Sequence, residues 1–227
     1  MKKKLILVAI SLIALTGLSA CNKLDVIGDT SIKSFEKILS TVSDNVSEDA
    51  TYGGWSLVAP DGGARFLWSK DYSKTETYDA LLEVNAQPFI EAGLDSSKLP
   101  EGMLVGDKII LGTEFGNESL TYEGDATPIE SYKQIVKLSR DSIKYHAALD
   151  HYGVDLMNGN MFEWAKDMSK NDKDIVFALN PQVFIDAGVD PENVEGWVFA
   201  KVEIMDEKGK TIEVDKFLKP FDLDGQK

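Results

Sequence analysis

The feature that most limits how this chain can fold is that it contains itself twice. Phe66–Lys74 (FLWSKDYSK) returns as Phe162–Lys170 (FEWAKDMSK), and Leu82–Asp95 (LEVNAQPFIEAGLD) returns as Phe177–Asp190 (FALNPQVFIDAGVD). Upstream, Ser34-Phe35 with Ile38 matches Ser131-Tyr132 with Ile135, and Tyr52-Gly53 matches Tyr152-Gly153. Downstream, Glu101-Gly102 matches Glu195-Gly196. The matches keep their order at an offset of about 94 to 100 residues. A unit of about 95 residues exceeds a solenoid repeat, so the pattern predicts two copies of one small module, at 32–126 and 127–227.

Each copy reads as a helix followed by short strands. The helices are expected at Ile32 to about Val46 and at Pro128 to about Asp150. Thr127, Pro128 and Glu130 supply a cap, a first-turn proline and a capping box. Extended pieces follow at Trp55–Val58 and Arg65–Trp68, and at Val154–Met157 and Met161–Ala165, separated by Gly- and Asn-rich turns. Tyr78, Ala80, Leu82 and Val84 alternate as on a strand, as do Ile175, Phe177 and Leu179. Asn85 and Asn180 are placed to cap a short helix that ends at Gly93 or Gly188, and Asp95 and Asp190 can open a further turn. A hairpin closes each copy, in the second at Trp197–Met205 and Lys210–Val214 around Gly209. Strands follow one another instead of alternating with helices, so the expected class is α+β with antiparallel sheet.

The N-terminus reads as an address. Lys2, Lys3 and Lys4 precede an uncharged apolar run, Leu5–Leu18, too short to span a bilayer. Small residues and a cysteine follow: Leu18-Ser19-Ala20-Cys21. This segment resembles the lipobox of bacterial lipoproteins. The resemblance implies that residues 1–20 are a signal peptide, that Cys21 carries a diacylglyceryl group, and that cleavage leaves Cys21 first. Residues 21–31 are polar enough to serve as a tether. Cys21 is the single cysteine, so an intramolecular disulfide framework and a Cys-based zinc finger are excluded. Without the three leader lysines, 21 basic residues face 38 acidic ones, a charge of −17. Such a balance argues against nucleic acid as a partner and keeps a surface soluble.

The motifs that could carry chemistry are few. The repeated Phe-x-Trp-x-Lys-Asp could offer Trp68 and Trp164 as stacking platforms, with Lys70, Asp71, Lys166 and Asp167 as polar contacts. The same aromatics also suit a core face. Both histidines fall in Tyr145–Tyr152. On a helix, Asp150 would lie four residues from His146 and could orient its imidazole. His146 and His151 are five apart, a poor helical spacing for a metal, and no metal site is expected. Asp155-Leu-Met-Asn158-Gly-Asn160 has calcium-friendly oxygens without the EF-hand spacing. Ser34-x-x-Lys37 and Ser43-Asp-Asn45 match two pieces of the penicillin-binding signature, but the third is missing and both crowd onto one helix.

These readings lead to a membrane-anchored, extracytoplasmic binding protein with no cofactor. Two modules would enclose a groove for a small molecule, a glycan or an envelope protein. Two alternatives stand beside it. One is an envelope hydrolase or metal-dependent enzyme using His146, Asp150 and His151. The other is a structural accessory subunit. An outer-membrane location fits if the cell has two membranes.

Overall fold

A computed structural model describes residues 20–72, 78–115, 126–146, 149–167, 173–205 and 210–222, with side chains from Ile27 onward except that of Met205. Residues 1–19, the Cys21 side chain, Ser73, Lys74, Met168–Lys170 and the Gly209 turn lie outside the described residues. The chain is α+β, with two six-stranded antiparallel sheets. The first half runs α1 (Ala20–Thr41), β1 (Val46–Asp49), β2 (Gly54–Val58), β3 (Ala64–Ser69), β4 (Ala80–Asn85), α2 (Gln87–Glu91), β5 (Leu104–Val105) and β6 (Lys108–Thr113). The second runs α3 (Pro128–Leu138), β7 (Ile143–His146), β8 (His151–Asp155), β9 (Met161–Ala165), β10 (Ile175–Leu179), α4 (Gln182–Asp186), β11 (Val198–Met205) and β12 (Thr211–Phe221). The sheet orders are β1-β2-β3-β4-β6-β5 and β7-β8-β9-β10-β12-β11.

The local signals act as their chemistry requires. Thr127 and Glu130 form the capping box of α3, with Pro128 in the first position. Asn85 Oδ1 accepts Gln87 N–H at 3.0 Å, and Asn180 Oδ1 accepts Gln182 N–H at 3.0 Å. Gly93 and Gly188 take φ of 104° and 100°, which ends each short helix in the left-handed conformation. Leu94 N–H then reaches Phe89 O at 2.9 Å, and Val189 N–H reaches Phe184 O at 3.0 Å.

Three elements differ from expectation. The helix expected from Ile32 begins at Ala20, so the segment expected as a tether lies within α1. Ser31 is fully buried and accepts the Tyr132 hydroxyl at 2.9 Å, and a Cβ on Gly28 would lie 2.9 Å from Val136 Cγ1. The second helix stops at Leu138 instead of about Asp150. Ser139 and Ser142 bond each other through their hydroxyls at 2.7 Å, and a 3-10 turn at Arg140–Ser142 redirects the chain into β7. Finally, β12 runs seven residues past the expected Val214, to Phe221.

The two halves share one core. Phe66 of β3 stacks on Phe162 of β9 with centroids 4.3 Å apart and planes 3° from parallel. Each long helix lies on the sheet of the other half. Ser34 of α1 donates to Ala165 O of β9, Ser131 of α3 donates to Ser69 O of β3, and Trp68 Nε1 donates to Pro128 O at 3.1 Å. Phe35 of α1 sits against Tyr132 (4.2 Å), Trp164 (4.9 Å) and Trp68 (5.7 Å). At the opposite end Phe89 meets Phe184 at 4.7 Å, and the backbones exchange two bonds, Asp95 N–H to Ala187 O and Asp190 N–H to Ala92 O, both 2.8 Å. Gly93 and Gly188 make this approach possible, since a Cβ on either would lie about 3 Å from the other's carbonyl oxygen.

Candidate functional site

The middle of the molecule, where a groove was expected, is filled by these aromatics. Trp68 and Trp164 are fully buried. They are core residues and not platforms open to a ligand. Lys70 pairs with Glu48 at 2.7 Å and lies over the Trp55 ring. Lys166 stands 3.8 Å from Asp150 and lies over the Tyr145 ring. Asp71 takes part in a tight turn, its N–H bonded to Ser69 Oγ at 3.0 Å, and Asp167 is half-buried. At the margin between the halves is a shallow cleft of about 200 Å³. Asp61, Gly196, Lys219 and Phe221 line part of it, and Lys219 is paired there with Asp61 at 2.5 Å.

The histidines lie on strands, not on a helix. His146 ends β7 and His151 opens β8, directly opposite each other in the ladder. The next pairings place His151 beside Ala165 and Gly153 beside Glu163. Gly153 is small enough for Glu163 to lie across β8, since a Cβ there would meet Glu163 Cγ at 3.1 Å. The Glu163 carboxylate thereby reaches His146 Nδ1 at 3.2 Å and His151 Nδ1 at 4.0 Å. Asp150, expected to orient His146, instead accepts the Tyr145 hydroxyl at 2.5 Å from a left-handed turn with φ 53°. Burial and this carboxylate push the Tyr145 hydroxyl up to about 12.

The cluster is a buried charge network on the outer face of the second sheet. His151, Glu163 and Lys216 are each under a tenth exposed. Burial alone would lower the pKa of His146. The hydrogen bond and charge of Glu163 outweigh it and hold the imidazole above its usual value, with Asp155 assisting and Lys216 opposing. Burial lowers the Lys216 ammonium, against the pull of Glu163 and Asp155. Lys216 donates to Gly159 O, so a side-chain cation already serves the turn that looked calcium-friendly. In that turn Asp155 Oδ1 accepts Met157 N–H at 2.8 Å and Asn160 Oδ1 accepts Asn180 N–H at 3.0 Å. Among the described residues, no group of three or more His, Cys, Asp or Glu side chains is placed to hold a metal ion.

Glu163 is the residue that sequence reasoning missed. Its signal stood inside the repeat, where Phe-Glu-Trp replaces Phe-Leu-Trp. Where the second sheet pairs His146 with His151, the first pairs Asp49 with Gly54, and Arg65 bridges Asp49 (2.8 Å) and Glu83 (2.7 Å). Backbone donation from Tyr52, helped by Arg65, holds the Asp49 carboxyl below its usual value. The ladder also corrects one repeat match: Trp55 opposes Trp68 as Tyr152 opposes Trp164, so Trp55 and not Tyr52 holds the place of Tyr152.

The raised pKa of His146 has a stability consequence. A base whose folded pKa exceeds its unfolded value of about 6.5 stabilises the fold fully below that value and loses the contribution as pH rises through the folded pKa. His146→Gln is expected to cost more stability at about pH 5.5 than at about pH 8.5, read from urea unfolding at both pH values. An equal cost at both would show that His146 and Glu163 do not form a charged pair that stabilises the fold.

Compared with known proteins, the chain matches no family model, no curated protein and no solved structure.

Proposed function

We propose that the chain is a lipoprotein held through Cys21 at the extracytoplasmic face of a cell membrane, with a binding role and not a catalytic one. The observation that carries this reading is the succession of Lys2–Lys4, the uncharged run Leu5–Leu18 and Leu18-Ser19-Ala20-Cys21. The fold gives it a physical use. Only Asn22–Val26 stand between Cys21 and Ile27, which packs against the core, so the anchor would hold the body close to the bilayer. Among the described residues no helix is long and apolar enough to cross a membrane. Multiple acyl chains would supply the retention that one chain cannot.

The catalytic alternative loses its His146–Asp150 pair, and its polar candidates are held within the chain. Lys70 is held by Glu48, Lys166 and Tyr145 by Asp150, and His146 by Glu163. A general acid or base must instead meet a substrate proton at hydrogen-bond distance.

We further infer an internal duplication. The ordered sequence matches, the common strand order and the reciprocal bonds of Ser34 and Ser131 all support it. The second copy would then carry the charge network as its own addition.

Metabolic labelling with radioactive palmitate tests the anchor. The parent chain is expected to incorporate label and Cys21→Ser to lose it entirely. Label retained by the variant, or absent from the parent, would overturn the proposal.

A further inference from the structure

The two sheets end differently on one side. The first closes on β5, a two-residue strand. The second closes on β11, eight residues long, and among the described residues no strand pairs with its outer edge. A long open edge is a ready template for another strand. We propose that β11 pairs antiparallel with β11 of a second copy of this chain, joining two second sheets into one of twelve strands.

The side-chain pattern selects both the partner and the register. Phe199, Lys201 and Glu203 share one face of β11, and Ala200, Val202 and Ile204 share the other. A twofold axis through Val202 places Lys201 opposite the second copy's Glu203 and Ala200 opposite its Ile204. Sliding by two residues one way sets Lys201 against Lys201, and the other way sets Glu203 against Glu203. A slip of one residue turns the faces over. One register therefore satisfies both charge and hydrophobicity.

The hairpin itself carries a charge conflict that this pairing relieves. Glu203 lies directly opposite Glu213 on β12, while Lys201 lies opposite Asp215. Like charges across a ladder are destabilising. Lys201 reaches Glu213 only at 4.0 Å, and both side chains are about two-thirds exposed. In the pair, the second copy's Lys201 would flank Glu203 on its free side.

The test is sedimentation equilibrium of the full-length chain in a density-matched detergent, comparing the parent, Glu203→Lys and the double exchange Lys201→Glu with Glu203→Lys. The parent is expected to show a monomer–dimer equilibrium. Glu203→Lys removes the Glu203–Glu213 conflict within each chain, so its urea midpoint should not fall, yet it sets lysine against lysine between chains. Its association should weaken about tenfold or more. Reduced overall negative charge would by itself strengthen association, so general repulsion predicts the opposite sign. The double exchange restores opposite charges between chains and should return association to within about threefold of the parent. A parent that stays monomeric, a dimer indifferent to Glu203→Lys, or a double exchange that fails to recover would each overturn the proposal.

Discussion

Either half of the chain, expressed alone after a cut between residues 115 and 126, is expected to give no cooperative unfolding transition. Without the second half, Phe35, Phe66 and Phe89 lose the faces of Tyr132, Trp164, Phe162 and Phe184. Each aromatic side chain buries about 150–250 Å². At about 25 cal/mol per Å², several such losses match the whole stability of a domain, about 5–15 kcal/mol. The polar bonds fail with them, because Ser34, Ser131 and Trp68 all bond across the halves. Urea titration of near-ultraviolet circular dichroism reads the outcome. Co-expression of the two halves should recover the transition, since every lost contact is then available again. A sigmoidal transition from one half alone would show that the halves are separate domains.

The largest single-residue effect is expected at Phe35. This side chain is fully buried on α1 and touches rings from α3 and from both sheets. Phe35→Ala should cost about 3–5 kcal/mol, because the surrounding rings cannot all collapse into the void. Ile90→Ala, at a position 45% exposed, should cost under about 1 kcal/mol. Thermal unfolding followed by tryptophan fluorescence and by far-ultraviolet circular dichroism should fall together for Phe35→Ala, since Trp68 and Trp164 report from opposite sheets. Two separated transitions would contradict a shared core.

The contrast between what was legible in the sequence and what was not follows from range. Asn85, Gly93, Asp95 and the Thr127–Glu130 box act on neighbours a few residues away, so their chemistry could be read directly. The strands β4 and β10 were legible for the same reason, although β10 is buried on both faces and not on one. The reach of α1 back to Ala20 was hidden because its N-terminal turns look polar until Gly28 meets Val136 and Ser31 meets Tyr132, both more than a hundred residues away. Ile143–His146 (IKYH) read as helix because four residues are too few to separate the helical period from the strand period. That choice moved His146 beside Asp150 on paper, whereas the strand ladder sets it beside His151 and within reach of Glu163. The two tryptophans were recognisable as repeated residues, but their exposure depends on α1 and α3 lying on opposite halves. No local pattern encodes that exchange.

We propose that Cys21 becomes the lipid-bearing first residue of a membrane-held protein. Intact mass spectrometry of the chain extracted from membranes measures it directly. The expected mass is that of a chain beginning at Cys21 with an added diacylglyceryl group. A chain that begins at Met1 or at any residue other than Cys21, or an unmodified Cys21, would contradict it.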